Sequence, residues 1–160
     1  MGDANEDRAK AAKLPEGDLV RILLTQHATV KDMLDQVEAA SGAKRKKLFE
    51  QLTGTLKAHE TAEESVVRLV TKETAGAGVA DARNAEENEA NEVIAALSKL
   101  DVDSPQFDDQ FAEFKQAVSD HAEAEETQEF PTILAGRSAP ERKELGEEFL
   151  AQFEAAGGKI

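Results

Sequence analysis

Apolar residues in this chain recur at steps of three and four between a few Gly and Pro breaks, a period that suits helices. The breaks fall at Pro15–Gly17, Gly42, Gly76–Gly78, Pro105, Pro131–Gly136 and Pro140. The segments between them are rich in Ala, Leu, Glu, Gln and Lys, which lose little freedom in a helix. β-Branched residues are few and no alternation of period two persists, so no strands are expected.

A first long helix is predicted from Asp18 to about Ser41, with Leu19, Ile22, Leu23, Val30, Met33, Leu34 and Val37 on one face. Asp18 suits its N-cap, because a carboxylate there accepts from the free N–H groups of the first turn. The second runs from Ala43 to about Thr74, with Leu48, Leu52, Leu56, Val66, Leu69 and Val70 inward and Gly54 as a local weak point. The third runs from about Val79 to Leu100, with Val93, Ile94 and Leu97 inward. Ser104 followed by Pro105 reads as the N-cap and first position of a fourth helix. That helix carries Phe107, Phe111, Phe114 and Val118 and is expected to end before Pro131. A shorter fifth helix starts at Pro140, with Leu145, Phe149, Leu150 and Phe153 as its apolar side.

Four long amphipathic helices with short connections imply an all-α fold, an antiparallel up-down four-helix bundle with an additional short C-terminal helix. The expected organisation is a disordered or frayed stretch over 1–17, the bundle over 18–135, and the C-terminal helix and tail over 136–160. At 160 residues one domain is the prior, with enough chain to bury a core.

The formal charge of −14 argues against nucleic acid and anionic membrane as partners. No apolar run approaches the ~18 residues of a membrane span. The beginning of the chain has neither a basic segment nor an apolar one, and Glu6 stands where a myristoylation signal requires Ser or Thr. Met1–Gly2 is therefore read as an ordinary start, AGGKI as a loose end, and the expected location as cytoplasmic. The chain has no Cys, which excludes disulfides, thiolate metal sites and Cys nucleophiles, and no Tyr, which excludes a phenolate ligand.

The three histidines all fall on inward stripes. His27 fills the gap between Leu23 and Val30. His59 and Glu63 continue the stripe of Leu48, Leu52 and Leu56. His121 and Glu125 continue that of Phe111, Phe114 and Val118. Residues four apart stand one above the other on a helix face, so each His-x-x-x-Glu pair converges on one spot. A buried ionised Glu is costly unless paired or coordinated. No Arg or Lys lies beside these carboxylates on the predicted stripes, so a metal ion is the expected counter-charge. Glu60, Glu64 and Glu126 flank the set, either as solvated residues or as carboxylates that back the ligands or draw ions in.

The chain also repeats itself. His27, Met33 and Val37 in the first helix match Glu87, Val93 and Leu97 in the third at one constant offset. His59 and Glu63 match His121 and Glu125 at nearly the same offset. Two helix-pair halves around one centre suit a binuclear site bridged by Glu63 and Glu125. Glu87 then takes the place opposite His27, with Asn88 and Asn91 as competitors.

This order of His27, His59-x-x-x-Glu63 and His121-x-x-x-Glu125 resembles the hemerythrin-like HHE cation-binding domain. The local text KAHETAEE and SDHAEAEETQEFP resembles it too, and the likeness covers about residues 18–135. Ferritin-like bundles differ, using Glu-x-x-His at i, i+3. The resemblance implies a four-helix bundle around an oxo- or hydroxo-bridged di-iron centre. Terminal ligands would be His27, His59 and His121, and bridging carboxylates Glu63 and Glu125. It also implies metal ions and small diatomic ligands or peroxide as partners.

One departure stands out. The family's third helix normally supplies one or two His, and here the stretch reads Glu87-Asn88-Glu89-Ala90-Asn91. More carboxylate and fewer imidazoles favour the ferric state. That suits catalase-like peroxide turnover, ferrous oxidation or redox sensing better than reversible oxygen carriage. It also leaves room for one strong and one weak site, or for Zn²⁺ or Mn²⁺. The alternatives are a non-catalytic iron or redox sensor or metal store, and a metal-free acidic interaction protein.

Overall fold

The computed structural model describes residues 3–159. Met1, Gly2 and Ile160, and the expectations that rest on them, lie outside the described residues. The chain is all-helical, with no strand among the described residues. Its elements are α1 (Ala4–Ala12), α2 (Leu19–Ala39), α3 (Gly42–Ala62), α4 (Arg68–Thr74), α5 (Ala77–Leu97), α6 (Pro105–Ala124), α7 (Phe130–Gly136) and α8 (Ala139–Ala155). Short π-helical turns, Glu63–Val67 and Glu125–Glu129, join α3 to α4 and α6 to α7. Among the described residues no helix is long and apolar enough to cross a membrane.

The caps behave as their chemistry requires. Asp18 accepts from the Val20 N–H at the start of α2, and Ser104 from the Phe107 N–H at the start of α6. Helix α8 opens on a full capping box between Ser138 and Glu141.

Each of the four long helices touches two of the others: α2 meets α3 and α6, and α5 meets α3 and α6. Their apolar faces form two separate cores. One is built from Leu19, Leu23, Val67, Phe130, Ile133 and Phe149 with their neighbours. The other centres on Leu34, Leu52, Leu97, Phe107, Phe111 and Phe114. The histidine-bearing level lies between these cores in sequence on α2, α3 and α6, so the polar layer is closed off by hydrocarbon on both sides.

Several sequence expectations change. Within the N-terminal stretch the chain forms α1, which was not among the expected helices: Asp3 caps it by accepting from the Glu6 N–H, and it packs along α2 with Asp7 and Ala11 buried. Polar composition hid this helix because, beside the buried Ala11, ionic contacts hold it down: Asp7 to Lys31, Arg8 to Asp32 and Lys10 to Glu126. The fourth helical segment does not stop before Pro131. It continues through a π-turn into α7, where Pro131 sits in the first turn and its missing N–H matters least. Leu69, Val93 and Leu150, expected inward, are 60%, 36% and 39% exposed.

Helix α8 packs against α2 and α3, and its Phe149 and Phe153 are fully buried. It is tied to α2 at one point, where Arg142 Nε donates to Asp18 Oδ2 at 2.7 Å. The backbones also meet closely: a Cβ on Gly146 would overlap the carbonyl oxygen of Gly17, itself held at φ +83°. Gly146→Ala is therefore expected to destabilise the protein by about 1–3 kcal/mol through overpacking. Chemical denaturation measures this, and an unchanged midpoint would contradict the close approach.

Candidate metal centre

The two π-turns set the site. In an α-helix each N–H bonds four residues back, whereas a π-turn bonds five back and inserts one extra residue. Here the Arg68 N–H bonds the Glu63 carbonyl and the Phe130 N–H bonds the Glu125 carbonyl. Each turn thus begins on the Glu of a His-x-x-x-Glu pair. The extra residue rotates everything after it by roughly a quarter turn. That rotation carries Leu69 to solvent and brings Arg68 inside at 2% exposure. At the corresponding place in the other half Phe130 turns in and stacks on His27, ring centroids 5.5 Å apart.

Between the π-turns the predicted residues meet. His27, His59, Glu63 and Glu125 are all buried, and one donor atom from each lies within 4.8 Å of the others. Glu63, Glu87 and His121 form a second such group sharing Glu63. His59 Nε2 is 3.0 Å from Glu63 Oε1. His27 Nε2 and His121 Nε2 are each 3.3 Å from Glu125 Oε1. Of the three third-helix candidates, Glu87 is 1% exposed and faces the cluster, while Asn88 and Asn91 are exposed.

Buried polar atoms ordinarily have hydrogen-bond partners. Here His27 Nε2, His121 Nε2, both oxygens of Glu63 and Glu125 Oε1 have none within the protein, although they face one another. Facing donors that satisfy no one else are what a cation requires of its site. The residues present fit a metal.

The comparisons agree. The family model described as Hemerythrin HHE cation binding domain matches residues 18–133. The chain belongs to the hemerythrin HHE cation-binding domain family. No curated protein and no solved structure matches it.

The outer nitrogens of two of the HHE histidines, His27 and His59, are held as metal-binding imidazoles usually are. His59 Nδ1 meets Gln26 Oε1 at 2.7 Å, and His27 Nδ1 meets Glu126 Oε2 at 2.8 Å. His121 Nδ1 faces Glu86 Oε1 at 3.5 Å. Glu126 is thus a backing carboxylate with a side chain only 6% exposed, tied onward to Lys31 of α2 and Lys10 of α1. Glu60 is also buried, whereas Glu64 is exposed.

One expectation fails outright: the cluster already contains a cation. Arg68 Nη2 lies 2.5 Å from Glu87 Oε2, and Nη1 lies 3.1 Å from Glu125 Oε2 and 3.3 Å from Glu129 Oε1. Nη1 is also 3.8 Å from Glu63 Oε2. Its Nε donates to Asn84 Oδ1. Arg68 and Glu129 were invisible to a helical wheel of period 3.6, because the π-turns change the phase. A fainter signal existed: Arg68 interrupts the apolar run Val66-Val67-Arg68-Leu69-Val70.

Burial and charge move the protons apart. Burial pushes His27 down, but contacts with Glu125 and Glu126 outweigh it and lift the imidazole to about 9. His121 is likewise pushed down by burial but lifted by Glu125, Glu86 and Glu87 to about 10. His59 goes down to about 3 through burial and the neighbouring His27. Burial and the Glu125 charge drive Glu63 well above the usual carboxylate range. Glu125 is pushed up by burial but held well below that range chiefly by His121. In the metal-free protein, protons on His27, His121 and Glu63 therefore supplement Arg68 in balancing the buried carboxylates.

A cavity of about 680 Å³ reaches this cluster. It is lined by His27, His59 and His121 together with Phe114, Val118 and Val93. Acidic residues, including Glu89 and Glu113, also line it and would favour the approach of cations.

Proposed function

We propose that the HHE domain holds iron at this cluster and reacts there with oxygen, peroxide or nitric oxide. The single observation that carries the reading is the set of buried, mutually facing and otherwise unpartnered atoms on His27, Glu63, His121 and Glu125, with the His59 imidazole among them. Iron in such a site would supply one-electron redox chemistry together with positions open to a small oxygen or nitrogen species.

The chain's own residues do the rest. Gln26 and Glu126 hold the outer nitrogens of His59 and His27, which leaves each Nε2 aimed inward. Phe130 over His27 and Phe149 at 5.9 Å from His59 exclude water from one side. The cavity admits small molecules from another side. The carboxylate share of the donor set favours the ferric state, which supports peroxide turnover or ferrous oxidation over reversible oxygen carriage. The ring of helix contacts α2–α3–α5–α6 supports the antiparallel up-down four-helix arrangement.

Metal analysis and an absorption spectrum after expression in iron-rich medium test the proposal. Bound iron is expected, with near-ultraviolet absorption that changes on adding dithionite, oxygen or peroxide. His59→Ala is expected to remove most of the iron. A colourless, metal-free protein would refute the iron reading, and iron without any turnover would identify a sensor or store instead.

A further inference from the structure

Two cations compete for the carboxylates of this cluster, and the oxygens divide between them. Glu63 and Glu125 each turn Oε1 toward imidazole nitrogen: Glu63 to His59 at 3.0 Å, Glu125 to His27 and His121 at 3.3 Å. Each turns Oε2 toward Arg68, at 3.8 Å and 3.1 Å. A carboxylate that bridges two metal ions gives one oxygen to each. Here the second oxygen of both candidate bridges already faces the guanidinium.

Glu87 tells the same way. It is the carboxylate that the second donor group needs, and its Oε2 lies 2.5 Å from Arg68 Nη2 but 3.5 Å from His121 Nε2. Arg68 is not a loose surface side chain that happens to reach in. It is 2% exposed, anchored by Asn84, and aimed inward by the π-turn on Glu63. An arginine keeps its charge at any working pH, and its planar fork can serve several carboxylates at once. The helix that would complete a second ion's shell with His offers none.

We propose that Arg68 stands where a second metal ion would bind, so that the centre holds one ion, on the His27, His59, Glu63 and Glu125 side. This rests on the reading of the cluster as a metal centre. Glu87 then serves Arg68 rather than the ion.

The test is the metal-to-protein ratio of the full chain loaded anaerobically with Fe²⁺ and desalted, followed by electron paramagnetic resonance after oxidation. The wild-type protein is expected to hold one iron per chain and to show an isolated high-spin ferric signal. Arg68→Gln, which frees the Oε2 oxygens and Glu87, is expected to hold two and to lose that signal to coupling between the ions. Arg68→Met provides the same vacancy with an apolar filling if the Gln variant does not fold. Glu87→Gln keeps Arg68 in place and is expected to retain one iron.

Two coupled irons in the wild-type protein would overturn the inference and leave the iron proposal standing. One iron in a folded Arg68 variant, or loss of iron in Glu87→Gln, would also overturn it. No iron in the wild-type protein would refute the metal reading itself.

Discussion

Metal-free Arg68→Gln is expected to lose about 3–5 kcal/mol of stability, the cost of leaving buried charge without its partner. Four carboxylates, those of Glu63, Glu87, Glu125 and Glu129, face this one guanidinium, and all four are fully buried or nearly so. Protonation can relieve part of the strain, so the loss should widen as pH rises. Metal loading should return much of it, because an ion placed among the same oxygens replaces the missing positive charge. Urea denaturation of the metal-free and loaded variant measures both effects. Arg8→Gln is the control: it breaks only the exposed pair with Asp32 and should cost no more than about 1 kcal/mol. Equal losses in the two variants would mean that the buried guanidinium carries no special weight.

The metal-free protein is expected to lose stability as pH rises from 6.5 to about 9, and to bind metal more tightly over the same range. His27 and His121 hold their protons more firmly in the fold, at about 9 and about 10, than at their ordinary 6.5. Their stabilisation is complete below 6.5 and is lost as pH climbs through the folded values. Glu60, lifted to about 8 mainly by burial, and Glu129, lifted to about 7 by burial and Glu125, act in the same direction. His59, lowered to about 3, acts oppositely but has already given its full contribution above 6.5. Each extra proton held by the folded state costs about 1.4 kcal/mol per pH unit.

The same protons must leave before the donors can coordinate. Apparent metal affinity should therefore rise about tenfold per pH unit for each proton displaced, and His27 alone supplies one below about 9. Thermal unfolding of metal-free and loaded protein, with calorimetric titration in buffers of different ionisation enthalpy, reads both slopes. Metal-free stability that rises toward pH 9, or binding without proton release, would contradict this account of the cluster.

The buried His/Glu cluster was largely legible in the sequence because its parts obey the helical period. His27, His59, Glu63, His121 and Glu125 lie on inward stripes whose phase is set by the leucines and phenylalanines before them. The repeat of the two halves offered Glu87, Asn88 and Asn91 as candidates, and of these Glu87 is the buried one, at 1% exposure. The caps at Asp18 and Ser104 were legible for the same local reason, since a cap is made within one turn of chain. Leu69 marks where such reasoning stops. Its outward turn depends on one additional residue in a π-turn, and no propensity announces that turn.

What the sequence determined by itself was therefore everything carried by the helical period: an all-helical chain with imidazole and carboxylate on its inward stripes. What only the tertiary structure decided was where the charges pair. Arg68 reaches Glu63, Glu87, Glu125 and Glu129 from another part of the chain or across a π-turn, and Glu126 reaches His27 from α6's continuation across to α2. Periodicity says which side of its own helix a residue faces. The partner on another helix is set by the distances at which the helices pack.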